Sequence, residues 1–422
     1  MFRALRNPNY RLFFAGQGIS LVGTWTTRLA ASWLVYRLTD SALLLGLVGF
    51  FGQIPTLILA PFAGVFIDRW NRRSVLLVTQ SLSMMQSLAL AALTLSGRIT
   101  VADVMMLQAL QGGVNAFDTP ARQAFVVEMV EDRADLANAI ALNSSLVNGS
   151  RMIGPAVGGA LTAAVGEGWC FLADGLSYIA VMGSLLAMTV NRAARRRHSQ
   201  PVFEAMKHGF EYVAHFPPVR SGLLLVALVS MLGMPYQVLM PVMASEVFGG
   251  GPNTLGILMM TTGVGALAGT LYLAWRHTVV GLGTKIAQAT LTFGVALVIF
   301  ASTDRLWVAL VILPIAGAGF IIALAATNTV VQTLVPEHLR GRVMAFYTMA
   351  FLGTAPIGSL IAGVAAERIG APRTIMMGGV ACAIAGAWFY SSLPTLRDIV
   401  HPIYAERGLL VMPDADSGSK TL

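Results

Sequence analysis

Two arginines stand inside otherwise apolar stretches of this chain. Arg28 closes a stripe of Gln17, Ser20 and Thr24, and Arg151 aligns with Ser144 and Asn148. A guanidinium presents a planar fork of donors that fits carboxylate, phenolate or catecholate oxygens. In an apolar medium an unpaired one costs at least about 2.5 kcal/mol. Each must therefore either line an aqueous cavity or be held by Asp174, Asp118 or a backbone carbonyl, and the sequence leaves both readings open. A second polar set, Gln108, Gln111, Asn115, Asp118 and Arg122, falls at i, i+3, i+7, i+10 and i+14, one face of a helix. Gln111 and Asn115 read as cavity wall, and Trp25, Asn148, Tyr236, Gln237 and Gln332 are placed with them. A third cluster is Gly64-Val-Phe-Ile-Asp68-Arg69-Trp-Asn-Arg72-Arg73. Asp68 and Arg72, four residues apart, can pair along a helix or cap a neighbouring one. Asp118 is expected to join them in a charge relay.

The elements that position these residues follow from composition. Of 422 residues, 56% are hydrophobic and 11% charged, and mean hydropathy is +0.70. Soluble domains carry about 25% charged residues, so this chain is not one of them. Apolar runs recur at lengths near the roughly 20 residues that cross a bilayer as a helix, and at about 35 residues per span and loop the length yields about twelve spans. The expected class is an all-α membrane protein: residues 1–190 a first six-helix bundle, 191–220 a loop, 221–396 a second bundle and 397–422 a tail.

Most of the 28 Lys and Arg residues fall in the connections on the side of the amino terminus, including Arg3, Arg6, Arg11, Arg69, Arg72 and Arg73. Positive charge is retained in the cytoplasm, so both termini are expected there. The net charge of +8 then reflects a lipid bilayer as partner rather than nucleic acid. The start, MFRALRNPNYRLFF, reads as a retained first helix, and residues 201–218 as an amphipathic segment on the membrane surface. Cys170 and Cys382 have no CxxC or Cys/His neighbour, so packing is expected of them, with no metal or other cofactor. Internal duplication shows in RMIGPAVGGALTAAVG and FLGTAPIGSLIAGVAAERIG, whose Pro155 and Pro356 lie 201 residues apart.

The cluster from Gly64 to Arg73 resembles the G-x-x-x-D-R-x-x-R-[RK] signature of the major facilitator superfamily. Ser150-Arg-Met-Ile-Gly154-Pro155-Ala-Val-Gly158-Gly159 is similar to the G-x-x-x-G-P-x-x-G-G element of its antiporters and efflux members, with Ser150 at the first Gly. Gln108-Ala-Leu-Gln111-Gly112 is close to its R-x-x-Q-G pattern, with Gln108 in place of Arg. From Phe2 to about Pro394 the chain looks like the branch with bacterial siderophore (enterobactin-type) exporters and macrolide efflux proteins. The resemblance implies twelve transmembrane helices in two six-helix bundles, alternating access, and export of a small organic molecule across a bacterial inner membrane. A siderophore or other anionic amphiphile is the favoured substrate, with multidrug or macrolide efflux the alternative, and the unit is expected to be monomeric. Gating is assigned to Gly64, Asp68, Arg69, Arg72, Arg73, Asp118, Gly154, Pro155 and Gly158. The sequence has no GxxxxGK[ST] phosphate loop, Ser/His/Asp set or HExxH, so neither ATP use nor an enzyme is expected. Protons are the expected coupling ion, with Asp118, Asp174 and Glu246 as candidate carriers.

Overall fold

The computed structural model describes residues 3–130, 133–188, 202–276 and 278–409, without the side chains at 61, 64, 65, 68, 69, 133, 134, 137 and 202–207. Every regular element among the described residues is helical. The first half holds α1 (Pro8–Thr39), α2 (Ala42–Arg69), α3 (Arg72–Leu95), α4 (Val101–Met129), α5 (Arg133–Val165) and α6 (Glu167–Ala187). A short α7 (Val202–His215) follows. The second half holds α8 (Pro217–Val247), α9 (Pro252–Trp275), α10 (Leu282–Ser302), α11 (Leu306–Leu334), α12 (Glu337–Ile369) and α13 (Ala371–Glu406).

Helix starts follow local chemistry. Asn7 Oδ1 accepts from the Asn9 and Tyr10 amides, Ser41 Oγ from Leu44, and Asn71 Oδ1 from Arg73 and Ser74. Thr100 and Asp103 form a reciprocal capping box at α4. Each cap supplies an acceptor to amides that have no partner inside the helix. Two helices lose regularity midway. In α8 a π-turn at Val229–Gly233 and a 3₁₀ turn at Met234–Gln237 break the α-ladder, near Pro235 and Pro241. In α12 a π-turn occupies Met349–Gly353, just before Pro356. Proline removes a backbone donor and crowds the preceding turn, so such breaks are its expected result.

Nine of the described helical stretches are long and apolar enough to cross a membrane, all except α1, α4 and α5 among the twelve long ones. Those three are 32, 29 and 33 residues long, and they carry Arg28, the Asp118–Arg122 pair and Arg151. Their lower apolarity thus traces to the polar stripes themselves.

Inside the first half α1 packs on α5 and α6, α2 on α4, and α3 on α4 and α6. Inside the second, α9 packs on α11, and α10 on α11 and α13. The halves meet along two seams, α2 with α12 and α5 with α9. Glycines set the seam distances. A Cβ on Gly46 would lie 2.8 Å from Gly363 Cα, and one on Gly159 would lie 2.9 Å from Gly256 Cα. These contacts lie where α2 and α9 begin and where α5 and α12 finish, at what we term the far end; the α5–α9 seam stays as close at mid-helix, where a Cβ on Gly263 would lie 2.9 Å from Met152 Cα. Two carboxylates reinforce the far end. Glu367 accepts from Ser41 Oγ and the Leu43 amide, both at 3.1 Å, and Glu246 accepts from Tyr36 Oη at 3.0 Å. α2 and α9, and likewise α5 and α12, occupy the second and fifth places of their halves, the pairing that a duplicated unit would give.

Candidate functional site

Between the halves lie two adjoining cavities that share Gln237 and Met259. The larger has about 1240 Å³ of empty space including its mouth, and the smaller about 450 Å³.

Trp25 on α1 is the centre of the site. The Arg28 guanidinium carbon lies 4.6 Å from its ring centroid and that of Arg151 5.0 Å. Arg28 lines the larger cavity and Arg151 the smaller. Among the described residues neither makes an ion pair within 4.0 Å or a hydrogen bond. The indole faces offer both cations a partner that leaves their N–H donors free. Gly154 and Gly158 allow this arrangement. A side chain at Gly154 would overlap Trp25, one at Gly158 would lie 3.1 Å from Thr26 Cα, and Thr26 Oγ1 donates to Gly154 O at 3.0 Å. In this motif Gly154 and Gly158 therefore join α1 to α5, while Pro155 O and Gly159 face Gly256 of α9 across the seam.

The remaining wall comes from both halves. Gln111 and Asn115 line the larger cavity, where Gln111 Nε2 donates to Ser83 Oγ and Asn115 Oδ1, each at 3.1 Å. Tyr236 and Gln237 come from the interrupted middle of α8, and Tyr236 packs edge-on against Phe293 at 6.1 Å. Asn148 and Gln332 are in the wall of neither cavity. Asn148 donates to Ser144 O and Gln332 to Asn328 Oδ1. Every charged residue lining the two cavities, Arg28, Arg151 and Asp174, belongs to the first half. The second half supplies Tyr236, Met240, Met259 and Phe320.

Of the residues expected to gate, Gly154, Pro155 and Gly158 are those just described beside the cavity and the α9 seam, and the others lie toward the other end of the helices. Asp118 is 4% exposed and accepts from Thr79 Oγ1 at 2.9 Å, Gln80 Nε2 at 2.7 Å and Arg122 at 2.6 Å. Arg72 pairs with Glu128 at 2.7 Å, and Arg73 donates to Leu186 O at 2.9 Å, tying the start of α3 to α4 and α6. Gly64 lies on α2, and the side chains of Asp68 and Arg69 lie outside the described residues. Sequence reasoning passed over Glu128, Thr79 and Gln80 as partners. Thr79 and Gln80 lie next to each other on α3, but only the fold brings them to α4. It also passed over Asn71, whose place before a helix start is a legible N-cap signal.

A long-helix bundle in two matched halves, with a polar cavity at their interface, is the architecture of a membrane transporter. Residues 1–402 match the family of transmembrane secretion effectors within the major facilitator superfamily, and the chain belongs to that family. It is a multi-pass membrane transporter of small molecules, not an enzyme. It is 26% identical over 384 residues to the staphyloferrin A transporter of Staphylococcus aureus, covering 90% of this chain and 95% of that one. It is 27% identical over 402 residues to the multidrug efflux pump Tap of Mycolicibacterium fortuitum, covering 91% and 94%. Its fold is similar to that of an inward-facing bacterial homologue of the human lysosomal transporter Spinster. The TM-score is 0.69 at 15% identity, over 94% of this chain and 98% of that structure.

Proposed function

We propose that the chain is a monomeric exporter of the bacterial inner membrane, with both termini in the cytoplasm, that moves an anionic amphiphile outward in exchange for protons. In this reading α1, α4 and α5 also span the bilayer, making twelve spans, since their polar faces look into the cavity rather than at lipid. The far end is then the periplasmic one, and the glycine seams describe a cytoplasm-facing state. The observation that carries the substrate class is the pair of guanidiniums stacked on Trp25 with free donors inside a cavity. Such donors can take carboxylate, phenolate or catecholate oxygens in bidentate fashion. The staphyloferrin A relative supports this reading. The Tap relative and the Met and Phe side chains of the second half favour multidrug efflux as the alternative. Asp68, Arg72 and their neighbours act as a cytoplasmic latch, and Asp68→Asn is expected to lower transport without loss of folded protein.

The test is uptake into lipid vesicles holding the full chain, driven by an imposed pH gradient, for polycarboxylate and catecholate chelators beside a lipophilic cationic dye. Gradient-dependent movement of the anions, cut at least tenfold by Arg28→Gln or Arg151→Gln at unchanged expression, is expected. Movement of the dye alone would transfer the assignment to multidrug efflux, and loss of folded protein in both variants would make the arginines structural.

A further inference from the structure

The two adjoining cavities differ in chemistry as well as in size. The larger is walled by six carboxamide side chains, Gln53, Gln86, Gln108, Gln111, Asn115 and Gln237. The smaller has only the shared Gln237 of these, and Trp25, Pro155, Tyr236, Met240, Met259 and Phe320 make up most of its wall. Its threonine is already engaged, since Thr262 Oγ1 donates to Leu258 O at 3.0 Å. The amides of the larger cavity are not. Gln86 is 3% exposed and its Nε2 has no partner, Gln111 Oε1 is buried without one, and Gln108 makes no hydrogen bond among the described residues.

A carboxamide ends in two donors and an acceptor, so a group that is itself both, a hydroxyl or another amide, meets its full demand. A carboxylate uses only the donors of such a wall, and an ammonium only its acceptors. Buried polar atoms left unbonded are costly, so a wall built of them disfavours a ligand that brings no matching groups. The smaller cavity makes the opposite demand, because its ring, thioether and proline surface favours an apolar group. Trp25 joins the two. It carries Arg28, which lines the larger cavity, and Arg151, which lines the smaller, with the guanidinium carbons 4.6 and 5.0 Å from its ring centroid.

We propose that the two cavities are subsites for the two ends of one ligand, an acid held beside Trp25. One end carries several hydroxyl or amide groups into the larger cavity, and the other puts an aryl or alkyl group into the smaller. This rests on the reading above that the site takes an anion. Gln86, Gln108, Gln111 and Asn115 then select the polar end, while Tyr236, Met240 and Phe320 select the apolar one. The transported class is a hydroxylated or amide-bearing acid with an apolar appendage, rather than a plain fatty or aromatic acid.

Equilibrium dialysis on the purified full chain in lipid nanodiscs separates these features with four probes. 4-Methylumbelliferyl β-D-glucuronide has acid, hydroxyls and ring; its β-D-glucoside counterpart lacks the acid, 4-methylumbelliferyl sulfate lacks the hydroxyls, and methyl β-D-glucuronide lacks the ring. Wild type should bind the complete probe at least about fivefold more tightly than each of the others, the loss expected from one hydrogen bond or more. Gln108→Leu and Asn115→Leu should cost the complete probe at least about fivefold more than they cost the sulfate. Ala266→Leu, which fills the smaller cavity, and Phe320→Leu should cost it more than they cost methyl β-D-glucuronide. The wild-type ranking needs no variant, so it decides even where a variant fails to fold. Equal binding of the complete probe and the sulfate would mean that the amides hold only water, and overturns the polar subsite. Equal binding of the two glucuronides overturns the apolar one, and binding of none of the four overturns both. A glucoside that binds as well as the glucuronide would instead fail the anion reading, while the other two comparisons still report on the subsites. Binding does not require transport, so a chain that binds as expected and moves nothing in vesicles loses the export function and keeps the two subsites.

Discussion

At the residue scale the chain distinguishes two kinds of charge inside the helix bundle. Asp118 is fully engaged, with Thr79, Gln80 and Arg122 around it, whereas Arg28 and Arg151 rest on an indole and keep their donors free. The first arrangement is structural in energy terms. Asp118→Asn leaves Arg122 without a counter-charge at 18% side-chain exposure. Stranding a buried charged group costs about 1–3 kcal/mol or more. A lower melting temperature in detergent is expected, and the double variant Asp118→Asn/Arg122→Gln should recover part of the loss because it removes the stranded charge too. A double variant less stable than the single one would show that Arg122 has a separate role. Which residues would be costly was legible in the sequence; which of them find partners was not. Arg72 and Glu128 are 56 residues apart, and only the packing of α3 on α4 brings them to 2.7 Å.

At the element scale the two seams are the parts that must separate if the far end is to open. Glu367 is held by a hydroxyl and an amide at the start of α2, so its removal weakens the α2–α12 seam without touching the cavity. A cysteine placed at Ser359, buried against Gly49 in the wall of the larger cavity, reports on that seam when the reagent is added from the far side, and the native Cys170 and Cys382 are buried and add little background. Adding Glu367→Ala to Ser359→Cys should raise its labelling by a membrane-impermeant maleimide about threefold or more, as expected from a loss of roughly 1 kcal/mol. Unchanged labelling would mean that the glycine contacts alone hold the seam. The paired prolines pointed to corresponding helices, and the repeated seam geometry fits that reading. The π-turns of α8 and α12 were not readable, because a proline marks where a helix is weakened while the neighbouring helices decide how it re-forms.

At the scale of the whole molecule the basic connections, more than any single site, set the orientation. If both termini are cytoplasmic, epitope tags at residue 1 and residue 422 should resist external protease in intact cells and be cut in opened ones. Cleavage of either tag in intact cells would reverse the direction assigned to the far end. The all-helical class was legible, because bilayer thickness and backbone satisfaction impose the same pattern on any such chain. The depth of each polar side chain was less so: Asn148 and Gln332 fit the wall by periodicity, yet both hydrogen-bond along their own helices instead.

The wall itself is unevenly made, with every charged group on one half and every methionine on the other. Selection can therefore act on the two independently. Drift in the thioether and ring side chains of α8, α9 and α11 would reshape which molecules fit, while the charged groups on α1, α5 and α6 stayed intact. A lineage of such proteins could change cargo many times without having to reinvent its engine.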